Sequence, residues 1–249
     1  MSAYSLVSKD LINEPTSNTT RYEYNPYYAG VGLLGYIYNA NYRYRIDGIY
    51  QGGNVFNAVS NGVSKAATIE AYAVLANFSW TLPVLKRVDS QFIADFAMGS
   101  GDEDSTSVST PSQSNNSGNY NAFQAYGSFS GGLALKPRLT NMTIYRAGFQ
   151  LRPLKFIYAL RNLGTQVKYS VYRKTKPKGG ISDTYATEEN ADVGQGLDIA
   201  LTYSVFSDIQ FFYGFGLFKP GAAYPGVNSD GTSGTDLRQA HLVSLTVVF

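Results

Sequence analysis

The sequence predicts an all-β transmembrane fold, an antiparallel up-and-down β-barrel of about ten strands with short periplasmic turns and long extracellular loops. Three observations predict it. Apolar and polar side chains alternate with period two in segment after segment. Short and long links between those segments take turns along the chain, as they do in bacterial outer-membrane barrels. No run approaches the ~18–20 uninterrupted apolar residues that a membrane-crossing helix needs.

Taken in order, residues 27–39 (YYAGVGLLGYIYN) run into residues 41–51 across a very short link. In the second segment Tyr42, Tyr44, Ile46 and Tyr50 share one face, and Arg43, Arg45, Asp47 and Gln51 share the other. If the chain ends on the periplasmic side, residues 27–39 run downward, so a rising strand must precede them; residues 3–8 (AYSLVS) supply it. Residues 68–82 group Tyr72, Val74, Ala76, Phe78 and Trp80, and a tight turn at Pro83 and Val84 leads into residues 86–99. There Phe92, Ala94, Phe96 and Met98 oppose Arg87, Asp89, Gln91 and Asp95.

Residues 142–152 set Tyr145, Ala147, Phe149 and Leu151 against Arg146, Gln150 and Arg152. Residues 165–175 set Val167, Tyr169 and Val171 against Gln166, Lys168 and Lys174. Residues 155–164 fit either an extension of that strand or a surface turn. A hairpin over Phe206 and Ser207 joins residues 196–205, with Asp198 on the polar face, to residues 208–217. The last strand carries Val243, Leu245, Val247 and Phe249 on one face, with Ser244, Thr246 and Gln239 read among the smaller or more polar neighbours between them. Long polar links are expected at residues 52–67, 101–141, 176–193 and 219–237, rich in Ser, Asn, Gly, Asp and Thr. Within the second, residues 123–137 hold enough apolar side chains to fold inward as a plug.

Composition narrows the function classes. With no cysteine and one histidine, disulfide frameworks, thiolate metal sites and most histidine-based catalytic constellations are unavailable. His241 falls on the apolar face without an acid–base partner, so no catalytic residue is assigned and no enzyme activity is expected. Residues 99–104 (GSGDED) lack the spacing of an EF-hand loop and read as a solvated acidic loop; no metal and no cofactor is assigned. A net charge of +2 is too small to point to nucleic acid. The 21 tyrosines suit interfacial belts, where an apolar ring meets lipid and a hydroxyl meets water. Residues 1–10 carry neither a basic n-region nor an apolar h-region, so the sequence reads as a mature chain or as part of a longer barrel.

The polar faces carry the candidate site: Arg43, Arg45, Asp47, Arg87, Asp89, Asp95, Arg146, Arg152, Lys168, Lys174 and Asp198. Seven of these are basic and four acidic. Fixed cations along a water-filled lumen with low-dielectric walls concentrate anions, and arginine forks suit carboxylates. The alternative is that the arginines pair with the four aspartates simply to fill a narrow lumen.

Several segments, in order, resemble the alginate-export family of outer-membrane barrels. They are residues 42–53 (YRYRIDGIYQGG), residues 96–104 (FAMGSGDED), residues 138–153 ending in Arg-Pro, residues 193–198 (VGQGLD) and residues 215–221 (FGLFKPG) before an aromatic C-terminal strand. Gly196 stands where the family commonly has an acidic residue, and Asp47 takes the place of its acidic residue after the first tyrosines. The resemblance implies a bacterial outer-membrane protein, residues 1–249 forming a single barrel domain. It also implies export of an anionic polysaccharide or porin-like passage of small anionic solutes, along an electropositive path to which Arg43, Arg45, Arg146 and Arg152 would belong. Members are close to twice this length, so the match falls on what would be their C-terminal half. A complete chain would have to pair its first strand with its last. The expected partners are the lipid bilayer and the transported solute; the sequence leaves the oligomeric state open. A second reading stands beside the channel: a structural or adhesive barrel with a plugged lumen that acts through its extracellular loops.

Overall fold

The computed structural model describes residues 1–8, 23–38, 41–58, 64–83, 88–105, 118–125, 129, 131–206, 208–227 and 231–247. Ten strands follow one another: β1 Ser2–Val7, β2 Glu23–Ile37, β3 Tyr42–Ala58, β4 Ser64–Thr81, β5 Asp89–Gly99, β6 Met142–Arg152, β7 Leu163–Lys174, β8 Asp192–Ser204, β9 Ile209–Pro220 and β10 Arg238–Val247. Each pairs antiparallel with its neighbour in sequence, so the strand order of the single sheet is the chain order. Among the described residues β1 has a ladder only to β2, and β10 only to β9. The first-to-last pairing expected of a complete barrel is not among them.

Register sorts the side chains as the alternation requires. The pairs Tyr44↔Phe78, Phe92↔Phe149 and Tyr169↔Leu197 put aromatic and aliphatic groups on one face. Rings meet across strands there, stacked for Tyr42 and Trp80 with centroids 5.7 Å apart and tilted for Phe96 and Tyr145 with centroids 5.3 Å apart. Such cross-strand pairs stabilise a sheet by roughly 0.2–1 kcal/mol each. This face stays open: Tyr50, Tyr72, Tyr145, Phe149 and Tyr169 are all exposed. Gln239 shares it, opposite Leu217, so it does not alternate with Val243 as a polar neighbour. A one-residue change of parity carries a side chain to the other face.

The opposite, inner face is covered by part of the chain between β5 and β6. Tyr28 donates to the Gln124 carbonyl (2.9 Å), and the Gln124 amide donates to Gln51 Oε1 (2.8 Å). On the far side Tyr172 donates to the Gly131 carbonyl (2.9 Å), and the Leu133 amide donates to Asp198 Oδ1 (3.1 Å). This segment therefore reaches from β2 and β3 to β7 and β8. The inward fold expected of residues 123–137 is what the described part of that stretch adopts. Gly216 makes room for it: a Cβ there would lie 2.7 Å from Leu133 Cβ.

All the long connections leave one end of the sheet, and the links after β2, β4, β6 and β8 leave the other. One expectation about the links needs correction. Residues 52–67 are largely strand, because β3 and β4 stay paired from Gly52↔Glu70 to Ala58↔Ser64, leaving only residues 59–63 between them. Glycine and asparagine give that hairpin a loop-like composition. It is held by tertiary bonds instead: the Glu70 amide donates to the Tyr120 carbonyl (3.0 Å), and the Tyr120 amide to the Thr68 carbonyl (2.8 Å). Of the two alternatives for residues 155–164 the turn is the one found: residues 153–162 form it around a 3₁₀ segment, Tyr158–Leu160, and β7 begins at Leu163.

The long-loop end holds the apolar core. Ile69, Tyr120, Leu139, Ile181, Ala223 and Tyr224 are buried together with strand residues Met142 and Phe218. Full burial of one such large apolar side chain is worth roughly 1.5–3 kcal/mol. Asn141 is the polar hub beneath them. Its side chain donates to the carbonyls of Lys176 (2.9 Å) and Gly179 (2.7 Å), and its Oδ1 accepts the Lys176 amide (2.7 Å). A positive φ of 50° fits asparagine better than most residues.

Candidate solute pathway on the inner face

Alternation along β3 to β8 delivers the predicted side chains to the inner face at three levels. Nearest the short-link end, Asp89 meets Arg152 at 3.5 Å and Lys155 at 2.5 Å. All three are about half exposed, so this pairing is weak. Arg43 projects from β3 at the same end, exposed, and has no ion pair or hydrogen bond among the described residues. Arg87 lies outside the described residues, as does Phe249.

Halfway along, carboxylates sit beside cations on neighbouring strands. Arg45 grips Asp47 with Nε (2.7 Å) and Nη2 (3.2 Å). Asp95 collects Asn77 Nδ2 at 2.5 Å, Arg146 Nη2 at 3.1 Å and Lys168 Nζ at 3.8 Å. Asp95 and Arg146 are directly paired in the β5–β6 ladder, and Lys168 and Asp198 in the β7–β8 ladder. Phe129 of the inner segment covers the Arg146 guanidinium, 5.6 Å from ring centroid to Cζ. At the long-loop end Lys174 is buried, donating to the carbonyls of Ala186 (3.0 Å) and Glu188 (2.9 Å); it holds the loop between β7 and β8.

The structure thus gives most of the predicted cations a partner. Arg45, Arg146, Arg152 and Lys168 meet carboxylates, Lys174 meets carbonyls, and Arg43 stands alone among the described residues. Six described cations, Arg43, Arg45, Arg146, Arg152, Lys168 and Lys174, face four anions, Asp47, Asp89, Asp95 and Asp198. The middle level is balanced and the excess lies at the short-link end, where Lys155 adds to it. Sequence reading missed Lys155, which sits in a turn, and Asn77, whose place on the inner face follows from its position between Ala76 and Phe78. It also missed Phe129 and Leu133 as partners of the charges, since no local pattern announces a long-range contact.

Beyond the inner-face row, two further clusters fix the loops. Arg238 donates to Asp183 Oδ2, which also accepts the Tyr224 hydroxyl (2.8 Å). The same guanidinium lies 4.7 Å from the Tyr224 centroid and 5.6 Å from that of Tyr185. Burial, followed by the nearby Asp183 carboxylate, raises the Tyr224 phenol above its ordinary range. Lys176 pairs with Glu103 at 2.7 Å and holds that exposed carboxyl below its ordinary range. In the acidic loop, Asp102 accepts the amides of Asp104 (2.9 Å) and Asn121 (3.2 Å), which makes it a shaper of the loop. On the open face, His241 Nδ1 lies 3.0 Å from the Tyr213 hydroxyl, with the Phe215 ring beside it.

The family described as alginate export matches residues 3–235. The chain belongs to the alginate export family. That membership makes it a transport protein of the bacterial outer membrane, a channel rather than an enzyme, whose surroundings are the lipid bilayer and a passing solute or polysaccharide. The family resemblance expected from the motifs is therefore met. No curated protein matches the chain. Among solved structures, one titled "NanC porin structure in rhombohedral crystal form" aligns over 90% of this chain and 94% of that chain, at 10% identity and a TM-score of 0.34. A likeness that low decides nothing about this chain.

Proposed function

We propose that the ten-stranded sheet is the wall of a passive outer-membrane channel that favours small anionic solutes. The open face, with its exposed tyrosines, phenylalanines and aliphatics, meets lipid, and the inner face meets enclosed water. Long loops point outward from the cell and short links face the periplasm. An unpaired strand edge in hydrocarbon leaves backbone groups without partners, so this reading requires the wall to close, with residues 1–249 belonging to a single barrel domain. The strand directions of β1 and β10 are opposite, as antiparallel closure needs.

The carrying observation is the charge distribution. Midway, each carboxylate is engaged, and at the short-link mouth Arg43, Arg152 and Lys155 stand against Asp89, a surplus of two cations. A cationic mouth on a low-dielectric wall raises local anion concentration. The described residues among 123–135 lie across the inner face and narrow it, which favours small anions over a polyuronate chain of the kind the family name suggests. The site residues act as a group: Arg43 and Arg152 attract, the row from Arg45 to Asp198 sets the bore, and Lys174 anchors the outer loop.

Planar-bilayer recording tests this. A potassium chloride gradient should give a reversal potential on the anion-selective side, and the preference should weaken at high salt as charges are screened. Absence of conductance, or a cation preference, refutes it. The plugged, loop-acting barrel is the second reading, favoured by the hydrogen bonds that pin the inner segment from both sides. It requires a chain that stays non-conducting and binds a partner through its long loops, residues 101–141 above all.

A further inference from the structure

The inner face is not uniformly polar. Beside β1, a half-open hollow of about 400 Å³ is lined by side chains of β1 to β4 below and the inner segment above. Leu6, Tyr28, Ile49, Leu75, Phe123 and Phe129 form its walls, and among the described residues no charged side chain lines it. That volume lies within the roughly 300–1,000 Å³ of small-molecule sites, which are mostly apolar with a few convergent polar groups. A second hollow of about 290 Å³ adjoins it, sharing Leu75 and Phe129, and contains Arg45, Asp47, Asp95 and Arg146.

The sign of the charge a ligand would meet there follows from exposure. The side chains of Asp47 and Asp95 are 14% and 12% exposed, and that of Arg146 is 12% exposed. Arg45 is 59% exposed, and Asp47 occupies only its Nε and Nη2 donors. A guanidinium has five N–H donors in a planar fork, so the Nη1 side remains to receive another carboxylate. The accessible charge is positive.

We propose that the two hollows form one binding site for an amphipathic anion. An aromatic or short aliphatic body sits between Tyr28, Ile49, Leu75 and Phe123, and a carboxylate rests on Arg45. This names the solute class of the channel and rests on that reading for how the solute arrives, not for how it is held. A fully polar anion such as a sugar acid would leave the apolar hollow wet and gain little from it. An apolar cation would meet Arg45 and be repelled.

Equilibrium dialysis of labelled 4-phenylbutyrate, with the protein in nanodiscs and empty nanodiscs as background, tests the site without depending on conduction. Saturable binding above background is expected, at least about tenfold tighter than butyrate, since an apolar ring buried from water is worth more than the ~1.4 kcal/mol that tenfold requires. 4-Phenylbutylamine should not compete. Leu75→Asp, and Phe129→Ser in the loop, should each weaken binding at least about tenfold. Arg45→Gln should do the same for the carboxylate while leaving 4-phenylbutanol unaffected. Heat-modifiable gel mobility verifies that each variant is folded.

Binding no greater than to empty nanodiscs overturns the proposal. So does equal affinity for butyrate or the amine, or affinity unchanged by all three substitutions. Conductance of the same preparation in potassium chloride is read separately: conduction without binding refutes the site alone, and binding without conduction refutes the channel alone.

Discussion

Asp95 and Arg146 face one another across the β5–β6 ladder at 3.1 Å, and each side chain is only 12% exposed. Lys168 shares the same carboxylate, and Phe129 lies over the guanidinium. The pair therefore links the wall to the segment that narrows it. Removing one partner leaves a largely buried charge uncompensated, which costs about 3–5 kcal/mol when burial is complete and less where water retains access. Asp95→Leu should lower the urea midpoint of unfolding in detergent by the equivalent of about 2–3 kcal/mol. Adding Arg146→Leu should restore much of that loss. A double variant as unstable as the single one would show that the two charges are not coupled.

The selectivity reading separates the mouth from the middle. Arg43 has no partner among the described residues to neutralise it, so Arg43→Gln should reduce the chloride-to-potassium permeability ratio at low salt and leave folding stability within about 0.5 kcal/mol. Arg45→Gln should shift the same ratio in the opposite direction to Asp47→Asn, because each removes one half of a pair. Reversal potentials in a salt gradient measure both. An unchanged ratio in Arg43→Gln would place the selecting charge elsewhere.

On the channel reading, the inner segment narrows the bore. Replacing residues 125–136 by a short Gly-Ser link removes Phe129 and displaces the Leu133 amide that Asp198 accepts, and should raise single-channel conductance severalfold. Tyr172→Phe with Asp198→Ala breaks both anchors on β7 and β8. It should give larger, noisier currents without removing the segment. Conductance equal to the parent in both would mean that the current does not pass this face.

Much of the fold was legible because a period of two is hard to produce by chance over ten segments. Alternation alone puts Tyr42, Tyr44, Phe92, Phe149 and Tyr169 on one face and Arg45, Asp95, Arg146 and Lys168 on the other, and the ladders agree. Residues 52–67 misled because Gly52, Gly53 and Asn54 resemble a loop, whereas they pair with Glu70, Ile69 and Thr68 of β4, a stretch that also bonds Tyr120, far along the chain. Partnerships were harder. That Arg146 and Lys168 both reach Asp95 depends on which strands adjoin and in what register, and no local pattern encodes that. Lys155 reaches Asp89 from a turn, where alternation says nothing.

Asn141 ties the loop before β6 to the loop after β7. Asn141→Ala would leave the Lys176 amide and the carbonyls of Lys176 and Gly179 without their side-chain partner, in a site with no exposure to water. The Lys176 carbonyl keeps the Gly179 amide, but the Lys176 amide and the Gly179 carbonyl become orphans at about 1–3 kcal/mol each when buried, and alanine also disfavours the positive φ. Asn141→Gly, which tolerates the backbone, should recover only the conformational part. Hydrogen exchange at the amides of Lys176 and Gly179 should accelerate by more than about tenfold in both variants, with strand amides of β6 and β7 less affected. Exchange confined to residue 141 itself would mean that the loops hold one another without this hub.

Arg238, Asp183 and Tyr224 make the outer cap sensitive to base. The Tyr224 phenol is raised by burial and by Asp183, so the fold favours its neutral form. Linkage sets the sign: this contribution is fully present below the unfolded phenol value of about 10 and declines as pH rises above it. Protease cleavage within residues 221–237 should therefore increase above about pH 10, while the neutral range leaves the cap closed. Tyr224→Phe should remove most of that alkaline dependence, because no phenol remains to ionise beside Asp183. Arg238→Ala should open the cap at every pH, since it removes both the ion pair and the guanidinium packed on Tyr224 and Tyr185. An alkaline transition that persists unchanged in Tyr224→Phe would assign it to a different group.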